Sequence, residues 1–349
     1  MREELSNDKQ VPMKGLGKIL FIFMIICCAP TPVEAQFWHR LDSLLTVRQR
    51  KVNTDTAYVR RPRQNWITKV RYDGFGSNLN IHNLMEDNEM MTIKMNSALR
   101  TTIGISASYK GIGLTMSFAP RRLFNKSSDQ EYNINFYNNW WGADVTFTNI
   151  SDFDTDIKIG RIRSRATVES TRLYGMSVNA YYVFNGRKFS YPAAFNNTMI
   201  QKRSAGSVIA AATFYNGLLS SKISDTKYNM PNEPSITMRH AAIGGGYAYN
   251  YVTRYHWLLH ISAQPTFMIW KNYTLRVEKD PATGETISNR LPIQNAQLYF
   301  LSRVGAIYSR GHYYIGLMSV LQTYRVGNSD EFSIQNTYWK SRIYYGVRF

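Results

Sequence analysis

His260-Ile261-Ser262 places an imidazole and a hydroxyl two positions apart, which on a strand puts both on one face. A histidine in that position can act as general base toward the hydroxyl, and an amide such as Asn272, further along the same segment, can hold the imidazole in one tautomer. Metal chemistry has less to draw on. The six histidines stand at 39, 82, 240, 256, 260 and 312. Only His256 and His260 are close in sequence, and on a strand they lie about 13 Å apart, too far to share an ion. No Walker-type or dinucleotide glycine motif is present, and Gly244-Gly245-Gly246, set among apolar and aromatic residues, reads as a bend or as close packing against a plug. Neither a metal nor a cofactor is expected.

The other chemistry is electrostatic. Lysine and arginine number 42 against 24 acids, a net charge of +18. Lys340, Arg342 and Arg348 share the inward parity of the last segment, and with Arg303 and Arg239 on others they would make a basic interior that favours anions. The alternative is that these charges pair across the interior or, from loops such as Arg121-Arg122, contact lipopolysaccharide phosphates. Residues 185–204 mix apolar anchors (Phe189, Tyr191, Phe195) with basic residues (Lys188, Lys202, Arg203), a mixture expected of a segment that enters a lumen as a plug.

The elements that must position these groups follow from composition and periodicity. The 349 residues are 44% apolar and 14% aromatic, with a mean hydropathy of −0.34, which excludes both disorder and a bundle of membrane helices. The one continuous apolar run, residues 19–28, is too short to span a bilayer as a helix. Lys14 and Lys18 precede it, Pro30 and Pro32 break it, and Val33-Glu34-Ala35 offers a cleavage site before Gln36, with Met13 an alternative start. Residues 1–35 therefore read as a signal peptide; Ile25-Ile26 before Cys27 argues against a lipoprotein. The exported chain would have no cysteine, hence no disulfide or thiol chemistry, and export removes nucleic acid as a partner.

Residues 36–65 form an N-terminal periplasmic segment, with helix-like spacing at 37–51 and a linker at 53–65. From Trp66 onward the period is two. About twelve amphipathic strands are expected, at 66–83, 95–109, 111–119, 132–137, 142–156, 161–184, 205–219, 237–251, 255–274, 294–309, 312–325 and 334–349. Short turns alternate with long polar loops, the wiring of a transmembrane antiparallel β-barrel, so residues 66–349 are assigned to one. Between the fifth and sixth strands a loop at 157–160 predicts a charge ladder pairing Asp156 with Arg161, Asp154 with Arg163 and Asp152 with Arg165, and deeper in the hairpin Thr148 with Glu169 and Asp144 with Leu173.

Three resemblances bear on function. Phe349, with Val347, Tyr345, Ile343 and Trp339 on its face, resembles the signal read by the barrel-assembly machinery of Gram-negative outer membranes, which implies that machinery, outer-membrane lipids and lipopolysaccharide as partners. Lys188 to Phe195, Gln201 to Ser207 and Asp55 to Val59 together resemble a family of uncharacterised Bacteroidetes envelope proteins known only as a domain of unknown function; that family implies location and fold and no catalytic residues. The His260, Ser262 and Asn272 set resembles the triad of outer-membrane phospholipase A, itself a twelve-stranded barrel, but Ala263-Gln264 stand where that family has Asn-Gly. The function expected is that of an outer-membrane barrel forming a narrow pore or binding and transporting a small anionic or amphipathic molecule. A lipid-modifying hydrolase built on His260 and Ser262, or a structural or interaction barrel, remain the alternatives.

Overall fold

The computed structural model describes Ser43 and residues 53–84, 89–109, 112–118, 130–160, 162–220, 235–280, 285–291, 297–328 and 332–349. The chain divides into two units, residues 1–52 and 53–349. The leader, its cleavage site and, apart from Ser43, the helix-like stretch at 37–51 lie outside the described residues, as does Arg121-Arg122.

In chain order the elements are β1 (Val59–Arg60), β2 (Trp66–Leu84), β3 (Met90–Ser97), β4 (Arg100–Tyr109), β5 (Ile112–Phe118), β6 (Gln130–Tyr137), β7 (Trp141–Ile159), β8 (Ile162–Val183), the helix α1 (Tyr191–Phe195), β9 (Ile200–Gln201), β10 (Ala205–Ser220), β11 (Ser235–Val252), β12 (Trp257–Asp280), β13 (Glu285–Arg290), β14 (Leu298–Arg310), β15 (Tyr313–Asn328) and β16 (Phe332–Arg348). All ladders are antiparallel, and β16 pairs with β2 from Arg348↔Ile67 to Phe332↔Asn83, so the sheet closes on itself. Closure removes the edges that β2 and β16 would otherwise expose.

β3 and β4 are one strand interrupted by a bulge: both pair with β2, and the register moves by one residue between Asn78↔Asn96 and Phe75↔Arg100. β13 and β14 lie in the same way along β12. Counted so, twelve strands surround the turn-side half. β5 and β6 reach only that half, and above them β3 pairs directly with β7.

Alternation sorts each strand into two faces. On β12 Ile261 is 60% exposed and Ser262 2%. Val70, Ile105, Val208, Ile243, Phe267, Ile315 and Ile343 continue the apolar outer belt, and Trp66, Trp141, Phe184, Tyr251, Trp257, Tyr313 and Phe349 form an aromatic girdle at the turn end. The last strand divides as its sequence parity requires, with Tyr345 and Ile343 outward and Arg348, Tyr344 and Lys340 buried within.

Two local expectations are corrected. The β7–β8 hairpin closes at Ile159↔Ile162, with Gly160 at φ +52°, and is tighter than the expected four-residue loop. Asp156 consequently faces Arg165, Asp154 faces Thr167 and Lys158 faces Arg163. Deeper down, Thr148 faces Gly175 and Asp144 faces Asn179, a register that sets Trp141 beside Tyr182 in the girdle. The triple glycine packs against a neighbouring strand and not against a plug: a Cβ at Gly246 would lie 2.0 Å from the Ala263 oxygen, and one at Gly244 2.6 Å from that of Pro265. β11 thus closes on β12 where Pro265 has no N–H to offer.

Candidate functional site

Between Val183 and Ala205 the chain leaves the wall and turns inward. Ser190 starts α1, its Oγ accepting from the Ala193 N–H at 3.2 Å while donating to Asn139 Oδ1 at 2.8 Å, and all five residues of α1 are buried. Behind the helix, β9 pairs with β1, so Val59 is buried and the N-terminal linker lies on this inward segment. Gln201 ties this loop together, donating to the oxygens of Lys188 (2.6 Å) and Arg203 (3.0 Å) and accepting from the Ser190 N–H (3.0 Å).

The wall holds this inward segment through polar side chains. Asn250 Nδ2 donates to Ser190 O at 2.9 Å and to Gln201 Oε1 at 3.2 Å, Gln264 Nε2 to the Tyr191 hydroxyl at 3.0 Å, Lys69 Nζ to Phe195 O at 3.3 Å, and Arg348 Nε to Asn197 O at 3.4 Å. Burial raises the Tyr191 phenol above its ordinary pKa and keeps it protonated.

With its Nδ2 committed to the plug, Asn250 turns Oδ1 toward His260 Nδ1, 2.7 Å away. This places the proton on Nδ1 and leaves Nε2 to accept from the Ser262 hydroxyl at 3.1 Å, the order nucleophile, base, orienting amide. The third member is Asn250 and not Asn272. A bulge between Ala241 and Ala242, where the partners jump from Trp270 to Met268, exchanges the faces of β12, so Asn272 lies opposite Arg239 away from the imidazole. Phe189, Tyr191 and Phe195 surround the His260 ring at centroid distances of 6.3, 5.3 and 4.8 Å, and Ser262 is buried.

A charge cluster fills the lumen beside it. Arg342 grips Asp73 through Nε (2.7 Å) and Nη2 (3.1 Å), Arg71 lies 3.3 Å and Lys340 3.5 Å from the same carboxylate, and Lys340 also pairs with Glu131, which Tyr338 and Asn133 bond in addition. Arg303 Nη2 reaches Asp144 at 2.6 Å and Asn179 at 3.3 Å, and Tyr137 donates to the other Asp144 oxygen. The described interior includes the basic side chains Lys69, Arg71, Arg100, Arg303, Lys340, Arg342 and Arg348 and the carboxylates Asp73, Glu131 and Asp144. Above the cluster Tyr215, Tyr299 and Tyr324 enclose His240, whose Nδ1 bonds the Tyr273 hydroxyl at 2.9 Å.

Several sequence-derived positions fall elsewhere. Lys188, Lys202 and Arg203 do not enter the lumen: they are exposed at the turn-side mouth, Lys188 and Arg203 over the Tyr58 ring at 5.1 and 5.8 Å and Lys202 bonding Thr56 O, because a long charged side chain can leave its apolar neighbours and reach water. Arg239 is exposed and bonds Asn216 on the outside of the wall, since His240 takes the inward position. His256 sits in a turn at φ +68° and not on a strand face with His260, and no His/Cys/Asp/Glu metal group occurs among the described residues. Lys340, Arg342, Arg303, Tyr191 and Phe195 do face the interior. The interior carboxylates are not among the positions expected from sequence, although Asp73 carries a signal there, alternating with Val70 and Tyr72 in the company of Lys69 and Arg71. Asn250 had none, since only the ladder places it opposite His260.

Among curated proteins none matches the sequence. In solved structures, the outer-membrane protease OmpT from Escherichia coli is similar with a TM-score of 0.44 and 9% identity over 83% of this chain and 98% of its own. The translocator domain of the autotransporter NalP from Neisseria meningitidis has a TM-score of 0.25 and 8% identity, covering 90% and 96%. The toluene transporter TodX from P. putida has 0.27 and 8%, covering 82% and 91%. At these scores and identities the likenesses carry no argument about this chain. Residues 53–349 match the family described as "Domain of unknown function (DUF4421)", and with most of its length so matched the chain belongs to that family.

Proposed function

We propose that the protein is an outer-membrane β-barrel whose lumen binds and passes small anionic solutes, and that residues 185–204 act as its plug. The apolar belt and girdle support the membrane setting. The carrying observation is that basic side chains outnumber carboxylates in the described interior, with Lys69, Arg303 and Arg348 set against residues 185–204. Phe349 at the girdle suits recognition by the assembly machinery, and the basic character of the chain suits contact with lipopolysaccharide. Planar-bilayer recordings test the reading. The intact protein is expected to stay closed or nearly so, and a variant with residues 186–203 replaced by a short Gly/Ser linker to conduct with anion selectivity in a KCl gradient. Cation selectivity in a correctly folded deletion variant, or no conductance at all, overturns it.

A second reading has its own observation, the Ser262–His260–Asn250 arrangement, which fits acyl transfer once the plug moves. Labelling of the plug-deleted protein by a fluorophosphonate, lost in Ser262→Ala, is the expected result of that reading; no labelling removes it.

A further inference from the structure

His260, Ser262 and Gln264 take successive inward positions of β12, and all three are buried. The imidazole therefore lies on one side of the serine hydroxyl and an amide on the other. Across the two ladders Ser262 is flanked by Ala248 of β11 and Arg303 of β14. Ala248 has no polar side chain, and the plug supplies the remaining neighbour, Tyr191.

The Tyr191 hydroxyl accepts from Gln264 Nε2 at 3.0 Å, and Ser262 and Arg303 stand against the same oxygen. The guanidinium is fixed from behind, its Nη2 bonding Asp144 and Asn179. Around the phenol ring stand Tyr181, Phe195 and His260, at centroid distances of 4.7, 5.2 and 5.3 Å. An oxygen beside a nucleophile, facing an amide N–H and a guanidinium on the side away from the base, has the surroundings that acyl transfer requires for its oxyanion.

We infer that the Tyr191 hydroxyl fills the oxyanion site of a latent serine esterase, in which Gln264 and Arg303 are the oxyanion donors and the substrate is an acyl ester. This rests on the acyl-transfer reading of Ser262, His260 and Asn250, to which it adds the donors, the internal inhibitor and the substrate class. Once Tyr191 withdraws, Ser262 Oγ bonds to the carbonyl carbon as its proton passes to His260 Nε2, and negative charge gathers on the oxygen facing Gln264 and Arg303. The ester C–O bond then breaks, and the alcohol leaves with the proton from His260. Water, deprotonated by the same nitrogen, attacks the acyl-serine, releasing the acid and restoring the hydroxyl. The aromatic walls that the phenol ring vacates suit a short apolar acyl group.

Methanesulfonyl fluoride, which sulfonylates an activated serine with loss of fluoride, tests the assignment on the full chain in detergent. Mass spectrometry reads modification of Ser262, and unheated gel mobility establishes that each variant is folded. The unaltered protein is expected to resist, and Tyr191→Ala to react at Ser262 at least tenfold faster. Phe189→Ala, which removes an equally buried plug ring that carries no hydroxyl, is expected to react no faster than the unaltered protein. In the plug-deleted variant, Gln264→Leu is expected to lower kcat for p-nitrophenyl acetate about a hundredfold with KM little changed. Absence of Ser262 modification in the plug-deleted variant removes the acyl-transfer reading and this assignment with it. Modification there but not in folded Tyr191→Ala leaves that reading standing and overturns the part given to Tyr191, as does equal reactivity of Phe189→Ala and Tyr191→Ala. A kcat unmoved by Gln264→Leu overturns the oxyanion site.

Discussion

Arg303 on β14 and Asp144 on β7 meet across the lumen at 2.6 Å, although 159 positions separate them in the chain. The pair is nearly dry, so removing one partner strands the other. Asp144→Ala should destabilise the barrel by about 3–5 kcal/mol, and Asp144→Asn, which keeps an acceptor for Arg303, by less. The measurement is the temperature at which the unheated gel form converts to the heated form. A conversion temperature unchanged in Asp144→Ala would deny the pair its structural role.

Ser190 both caps α1 and bonds Asn139. Ser190→Ala should loosen the plug by about 0.5–2 kcal/mol without opening the wall. Hydrogen exchange at residues 191–197 should accelerate while the strand amides stay protected. Uniform acceleration throughout would place the effect on the whole barrel instead.

Asn250 and Asn272 separate the two accounts of the His260 environment. Asn250→Ala removes the acceptor of His260 Nδ1 and two plug contacts, and should shift the imidazole tautomer seen by nitrogen NMR. Asn272→Ala, outside that network, should change stability by no more than about 0.5 kcal/mol and leave the His260 signal in place. The reverse pattern would restore Asn272 as the orienting amide.

Register in the β7–β8 hairpin is open to cross-linking, because the only cysteines, Cys27 and Cys28, lie in the expected leader. Lys158→Cys with Arg163→Cys places two thiols on directly opposed positions, within disulfide reach. Asp154→Cys with Arg163→Cys, the pair expected from sequence, should stay reduced under the same oxidation. A disulfide in the second pair and not the first would reinstate the four-residue loop.

Closure of the wall from β16 to β2 leads to a test of the fold as a whole. The purified protein should begin at Gln36 and migrate faster unheated than boiled, since a closed barrel resists detergent until every ladder opens together. Identical migration in both states, with recovery in a soluble fraction, would count against a membrane barrel.

Alternation alone specifies the wall. Ile261 beside Ser262, or Ile343 and Tyr345 beside Arg342 and Tyr344, assigns lipid and lumen faces before any coordinate is known, because a strand must turn successive side chains opposite ways and lipid accepts only one of the two sets. The aromatic anchors of residues 185–204 were legible for a similar reason: Phe189, Tyr191 and Phe195 are poor residues for a loop in water. Parity fails where one residue is inserted. The bulge near Ile269 carries Asn272 to the other row, and nothing in the sequence announces it, since a bulge is a property of two strands. Register is likewise a relation between partners, which is why Asn250 came to His260 and Lys158 to Arg163 only in the closed sheet. The union of Asp73, Glu131 and Asp144 with Arg342, Lys340 and Arg303 required closure of the barrel: these residues lie on strands remote in sequence, and curvature of the wall brings them within bonding distance across the lumen.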